Sequence, residues 1–264
     1  MKPPTVFLGE MTSPEVEAFL AAGHDTVIVP VGSTEQHGPH GPLLTDAIVP
    51  TEVARRVAPD VGAVVAPTIN YGLSYPHAGF TGLVWIRIPT FMAFVEDVVV
   101  GLATAGFRRI VLLNGHYDNT YALAYACANA AERLPDGTRA FPINYWDGIT
   151  AEESAEFFGA TSGLHANKGE TSAVLAINPA LVDIDAANAE MPPFPEVSSP
   201  AGVHTAFFFS SPGSVYRATH SGTWGDARES SVEYGKGYLD VVEAATLRML
   251  RDVEKTFEAM PARD

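Results

Sequence analysis

Two short segments of the chain carry side chains that bind divalent cations. Residues 33–40 read S-T-E-Q-H-G-P-H, which sets Glu35 and His37 at i, i+2; residues 114–119 read N-G-H-Y-D-N, which sets His116 and Asp118 at the same spacing. Extended backbone turns i, i+2 side chains to one face. Imidazole nitrogen and carboxylate oxygen are ligands that zinc and manganese share, and Asp46, between the two segments, is suited to bridge. Five such donors exceed what one open tetrahedral zinc takes and suit two ions sharing a carboxylate. Ions about 3.5–4 Å apart hold a hydroxide between them and polarise a carbonyl, and the pKa of a bound water falls from about 15.7 toward about 7.

Plainer readings stand beside this one. An E-x-H or H-x-D pair can be a surface feature, and Asp46 can be a first-turn helix residue facing the helix dipole. What favours the metal site is that both pairs lie beside glycines where predicted strands end.

A third cluster, G-L-H-A-N-K-G-E-T-S over 163–172, holds His165 and Glu170. They can supply the acid–base function that a departing nitrogen needs; alternatively Glu170 and Ser172 simply open a helix. His77 and Trp146 are candidate pocket walls or packing residues.

These groups need strands to aim them. Apolar runs at 26–32, 61–67, 109–115 and 139–146 read as strands, alternating with helical patterns in the manner of βαβ units and a largely parallel sheet. A first helix opens with Ser13 as cap and Pro14 in its first turn, and ends near Gly23. Further helices are expected over 91–105 (capped by Thr90, ended by Gly106), 119–133, 170–177 and 233–257. Residues 183–212, rich in Pro, Ser and Phe, read as an ordered excursion and oligomer contact. No repeat or domain boundary interrupts the chain, so 1–264 reads as one doubly wound α/β domain. Ligands bind such sheets at the carboxyl ends of the strands, where both metal-binding pairs fall.

Composition narrows the function classes. The 31 acidic against 16 basic residues give a net charge of −15, a field that repels phosphate backbones and argues against nucleic acid as partner. Cys127 is the single cysteine, which excludes an internal disulfide framework, fits a reducing compartment and reads as a small core residue on a helix. Neither a signal peptide nor a membrane span is legible, so a soluble, cytoplasmic protein is expected. No G-x-G-x-x-G follows the first strand, and residues 32–35 would aim a carboxylate where a nucleotide phosphate should sit.

The same residues resemble the creatininase (creatinine amidohydrolase) family along nearly the whole chain. The resemblance runs through F-L-G-E-M-T at 7–12, P-V-G-S-T-E-Q-H-G at 30–38, D-A-I-V-P at 46–50, Tyr71-Gly72, H-A-G-F at 77–80, L-N-G-H-Y-D-N at 113–119, residues 165–171, and S-G-T-W-G-D-A-R at 221–228. It implies a three-layer α/β/α sandwich with a mostly parallel central sheet, assembled as a homo-oligomer, often a hexamer, with two divalent metal ions (zinc, manganese or both) per subunit. Carried over by motif, Glu35, Asp46 and His116 would hold one ion, and His37, Asp46 and Asp118 the other. His165 matches a histidine that passes a proton to the leaving nitrogen, Glu170 the acidic residue after it, and Trp146 a pocket tryptophan.

Three positions depart from the creatinine enzymes: Asp118 where they carry glutamate, Thr161 where they carry a second tryptophan over the substrate, and Thr81 where proline is usual. Tyr117, within N-G-H-Y-D-N, is closer to the creatinine branch than to members with N-G-H-G-G-N. The expected activity is opening of a cyclic or linear amide C–N bond in a small molecule, with a creatinine-like lactam first. The alternatives are a formamide hydrolase, a small-peptide trimming enzyme, or a non-catalytic binding protein on the same fold.

Overall fold

Two six-residue runs dominated by Val, Ile and Leu form the centre of the molecule: β1 (Thr26–Val31), buried throughout, and β3 (Arg109–Asn114), buried beyond its first residue. Strands buried on both faces read as continuous apolar runs, as these do. The computed structural model describes residues 5–157, 163–196, 198, 200–210 and 212–260. With β2 (Ala63–Val65) and β4 (Arg139–Asn144) these strands make a parallel sheet of order β2-β1-β3-β4.

Alternation along the strands builds the two outer layers. Val27, Val29, Val31, Ile110 and Leu112 face Phe91, Val95 and Val99 of α3 (Ile88–Thr104) and Leu123 and Ala126 of α4 (Thr120–Ala130); α1 (Ser13–Ala21) packs Val16, Phe19 and Leu20 against the same cluster. Ile28, Val111 and Leu113 face the opposite way, onto α2 (Thr45–Val57), α6 (Lys168–Ile177) and α9 (Val232–Ala259). The result is a three-layer α/β/α sandwich. Each fully buried aliphatic side chain contributes roughly 1.5–3 kcal/mol. Helices α6 and α9 meet at Gly235, where a Cβ would lie 1.8 Å from the Ser172 carbonyl oxygen.

The chain leaves β1 through α2 to β2 on one side, then returns through α3 to β3 on the other side of β1. Strand order therefore reverses between β1 and β3, and their carboxyl ends open the crevice where ligands bind in such sheets. The loops leaving these two strands carry Glu35, His37, His116 and Asp118.

Several elements differ from the sequence expectation. Helix α2, expected only as a first turn at Asp46, runs on to Val57 through Pro50; the proline sits one turn inside the helix, where it deprives only the Asp46 carbonyl of an amide partner. A second sheet, antiparallel and of order β5-β7-β6, joins β5 (Gly163–His165), β7 (Trp224–Asp226) and β6 (Ala189–Glu190). Strands of two or three residues show no readable period. The cap of α1 is Thr12, whose N–H donates to Glu15 Oε2 at 2.6 Å, and not Ser13. Helix α3 begins two residues before Thr90, because Pro89 suits its first turn.

Helix α5 (Ala151–Phe157) and, within the Phe-rich excursion, α7 (Pro200–Ser210) and α8 (Ser214–Ala218) were also unexpected. Part of that excursion's apolar content is used inward: the Phe208 ring stacks on Trp224 with centroids 5.1 Å apart. Cys127 is buried on α4, and burial pushes its thiol up to about 12. No helix among the described residues is long and apolar enough to cross a membrane.

Candidate metal centre

Glycines let three elements converge on one point. A Cβ at Gly32, just past β1, would lie 2.4 Å from the Asp46 carbonyl oxygen, and one at Gly115, just past β3, 2.3 Å from the same atom. Both strand ends therefore press against the first turn of α2, which delivers the Asp46 carboxylate between them. Asn119 ties the two loops together: its Nδ2 donates to the Gly32 carbonyl at 3.0 Å and its Oδ1 accepts the Leu73 N–H at 3.0 Å. Asn114 brackets His116, accepting its N–H at 3.1 Å and donating to its carbonyl at 2.7 Å.

Asp46 stands at the middle of the side chains so placed. Its Oδ1 accepts from His37 Nε2 at 3.0 Å, and its Oδ2 accepts from His116 Nδ1 at 2.9 Å and from Ser33 Oγ at 2.8 Å. Glu35 Oε2 lies 3.3 Å from His116 Nδ1, and Asp118 Oδ2 lies 3.7 Å from His116 Nε2. His116 is extended (φ −127°, ψ 123°), but Asp118 belongs to a 3-10 turn, so the second pair converges through a turn and not through the extended backbone that its spacing suggests.

Potential ligand atoms of Glu35, Asp46 and His116 all lie within 4.8 Å of one another. The set His37, Asp46, Asp118 does not form such a group among the described residues. His37 groups instead with His165 and Glu170, and Glu35 also groups with His77 and His165. Asp46 is thus both a first-turn helix residue and a member of the cluster.

Glu170 likewise opens a helix and stands in the cluster. Asn167 caps α6, accepting the Glu170 N–H at 3.0 Å, while the Asn167 N–H donates to Glu170 Oε2 at 3.4 Å. Ala166, at φ +50°, makes the sharp turn from β5 into that cap. His165 ends β5 with its ring 4.3 Å from that of His37. His77, a candidate wall, is buried inside the cluster, with Nε2 3.4 Å from Glu35 Oε1.

Burial and mutual charge set the protonation of these groups. Burial pushes the Glu35 carboxyl up to about 8, Asp118 to about 6 and Glu170 to about 7. Burial alone would lower His37 and His116, but carboxylates outweigh it. Asp46 raises His37 to about 9, and Glu35 with Asp46 raises His116 to about 10. Burial likewise disfavours an ionised Asp46, yet His37 and His116 hold it well below the usual carboxylate range. His165 falls to about 3 and His77 well below its usual value, both through burial and neighbouring imidazoles.

The donor set fits divalent cations on two observations. Glu35 Oε2 and His116 Nε2 are buried and have no hydrogen-bond partner, a state that costs about 1–3 kcal/mol per group. In addition, Glu35, Asp46, Asp118 and Glu170 all face one cavity, and no lysine or arginine is among the described residues that line it. Carboxylates gathered without a cationic side chain are the environment a divalent ion neutralises.

That cavity has a volume of about 530 Å3. His77, Tyr117 and Trp146 line it, as do His116 and His165, whereas His37 is buried behind the surface. Lining residues that the sequence reading missed include Tyr145, Tyr238, Leu164, Phe208 and Trp224. Trp224 lies in the glycine-containing segment at 221–228, Tyr145 adjoins Trp146, Leu164 adjoins His165 and Tyr238 lies on the expected helix over 233–257; Phe208 alone of these lies in a segment with no readable period. Thr161 falls outside the described residues, and Thr81 is not among those lining the cavity.

Comparison with known proteins identifies the family. The family model described as Creatininase: Creatinine amidohydrolase matches residues 9–250. Creatinine amidohydrolase of Pseudomonas putida is 36% identical over 195 residues, covering 69% of this chain and 75% of that protein. A mycofactocin precursor peptide peptidase of Mycolicibacterium smegmatis is 42% identical over 130 residues, covering 46% of this chain and 49% of that protein.

Among solved structures, a manganese form of creatininase superposes with a TM-score of 0.80 at 30% identity over 94% of this chain and 98% of that one. A Zn-Zn type creatininase mutant gives a TM-score of 0.81 at 30% identity over 95% and 98%. A family model and a fold match that extend over nearly the whole molecule place the chain in the creatininase (creatinine amidohydrolase) family of hydrolases, which act on amide C–N bonds.

Proposed function

We propose that residues 1–264 form one domain that hydrolyses the amide C–N bond of a small molecule with the help of two divalent metal ions, zinc or manganese. The observation that carries this reading is the convergence of four carboxylates and three imidazoles on a cavity lined by no described lysine or arginine. Glu35, Asp46 and His116 would hold one ion, and His37, Asp46 and Asp118 the other, with Asp46 shared. When bound, such ions supply an activated water and polarise the carbonyl under attack.

The chain's own groups do the rest. His165 keeps Nε2 on the Gln36 carbonyl at 2.7 Å, which leaves its other ring nitrogen to carry a proton to the leaving nitrogen. Glu170, held at about 7 by burial, is placed to exchange that proton with His165. Trp146, Trp224, Phe208 and Tyr117 give the cavity flat apolar walls, which suit a planar ring such as a creatinine-like lactam.

The cavity also supports a second reading, hydrolysis of a formamide or trimming of a short peptide. At about 530 Å3 it falls in the range of roughly 300–1,000 Å3 that holds drug-sized ligands and exceeds the needs of one five-membered ring. Assay of creatinine, N-formyl compounds and short peptides on zinc- and manganese-loaded protein separates the readings. Turnover of the lactam alone supports the first; preference for an acyclic amide supports the second. No turnover on any, in protein shown to hold metal, contradicts both.

A further inference from the structure

Gln36 lies between two candidate ligands in the chain, and it is buried. The orientation of its amide is fixed by backbone. Oε1 accepts the Gly38 N–H at 2.8 Å, and Nε2 donates to the Gly222 carbonyl at 3.2 Å. Exchanging the two ends would set donor against donor and acceptor against acceptor. Gly222 is held at φ +86°, and a Cβ there would lie 1.9 Å from Gln36 Oε1, so the loop carrying it approaches as closely as glycine alone permits.

With one Nε2 hydrogen on Gly222, the other is directed at His77 Nδ1, 2.9 Å away. An imidazole nitrogen that accepts a hydrogen bond carries no proton, so His77 must carry its proton on Nε2. That nitrogen lies 3.4 Å from Glu35 Oε1. His77 thereby steadies Glu35 through Oε1, while Oε2, 3.3 Å from His116 Nδ1, is the oxygen without a hydrogen-bond partner. The backbone of the same residue acts on a second histidine. The Gln36 carbonyl lies 2.7 Å from His165 Nε2, which must donate to it, leaving His165 Nδ1 as the free nitrogen, 3.7 Å from Glu35 Oε1. The 3.1 Å approach of Gln36 Nε2 to His165 Nε2 is then a contact between two donors and not a hydrogen bond.

We propose that Gln36 is a positioning residue whose side-chain amide fixes the tautomer of His77, so that His77 holds Glu35 with one carboxylate oxygen turned toward a metal ion, while its carbonyl fixes the tautomer of His165. The part that concerns the ion rests on the proposed function; the tautomers do not. Groups that orient a ligand in this way typically change metal affinity 10- to 100-fold when removed.

The test is 15N NMR of histidine-labelled protein, metal-free and zinc-loaded, at neutral pH, with His77 assigned by the signal lost in His77→Gln. Wild type is expected to show His77 with Nδ1 unprotonated and Nε2 protonated in both states. In Gln36→Glu, which keeps the shape but turns the donor into an acceptor, His77 Nδ1 becomes protonated. Zinc affinity, measured by chelator competition, falls 10- to 100-fold.

A wild-type His77 protonated on Nδ1, or a His77 unchanged in Gln36→Glu, overturns the assignment. Loss of the Nε2 proton on zinc loading would make His77 a ligand and overturn it as well. The wild-type spectrum decides the point even where the variant does not fold. Wild-type protein that binds no zinc but shows the expected tautomers leaves the Gln36 assignment supported and defeats the metal reading instead.

Discussion

The Asp46 carboxylate lies 2.9 Å from His116 Nδ1, although 70 residues separate them. One residue comes from the first turn of a helix that follows β1 and the other from the loop that follows β3. A single side chain thus joins the two halves of the crevice, with His37 on its other oxygen at 3.0 Å. Replacing Asp46 with Ala is expected to abolish turnover and reduce bound metal from two ions per chain to one or none. Elemental analysis together with the amide assay checks this, and retained turnover in the variant would defeat the two-ion mechanism.

His165 is expected to act on protons and not on metal retention. His165→Gln should keep the metal content of wild type and lose about 10²- to 10⁴-fold in kcat, the usual contribution of a general acid–base. Metal lost in step with activity would instead make His165 a ligand.

Metal uptake should depend on pH in a stated direction. In the metal-free protein Glu35 (about 8), His37 (about 9) and His116 (about 10) hold protons at neutral pH. A ligand carboxyl must be ionised and a ligand imidazole neutral, so an incoming ion displaces these protons. Raising the pH from about 6 to about 9 should therefore tighten zinc binding, and loading in weak buffer should acidify the solution. Calorimetry in buffers of different ionisation enthalpy measures the protons released; an affinity that is flat or falls over this window contradicts the assignment.

The close approach of the strand ends gives a prediction about the fold. In Gly115→Ala the new methyl meets the Asp46 carbonyl at 2.3 Å and Pro50 Cγ at 2.5 Å. Overpacking of this kind costs about 1–3 kcal/mol, and here it should also push α2, and Asp46 with it, away from His116. Denaturant unfolding should show the lost stability and elemental analysis the lost metal. A variant with wild-type metal content would mean that the glycine does not set the position of Asp46.

Much of this site is legible in the sequence because its donors sit where apolar runs stop. The runs at 26–31 and 109–114 are long and β-branched enough to read as strands, and Glu35, His37, His116 and Asp118 follow their ends. The resemblance adds the pairing of ligands, which spacing alone does not give. Harder to read is whatever depends on contacts between distant segments. His77 belongs to the cluster only because its loop folds back onto Glu35, and Gln36 acquires its role through Gly38, Gly222 and His77. Trp224 and Phe208 wall the cavity from strands and helices too short, or too uniformly apolar, to carry a period. The first turn of α2 was legible at Asp46, but its length was not, because Pro50 falls one turn inside it.

The most direct measurement is the metal content and activity of the purified protein before and after chelation. The expected result is two zinc or manganese ions per chain, loss of amide hydrolysis when they are stripped, and recovery when either metal is returned. Full hydrolysis by stripped protein, or wild-type protein that takes up no ion when supplied with both metals, would contradict the account.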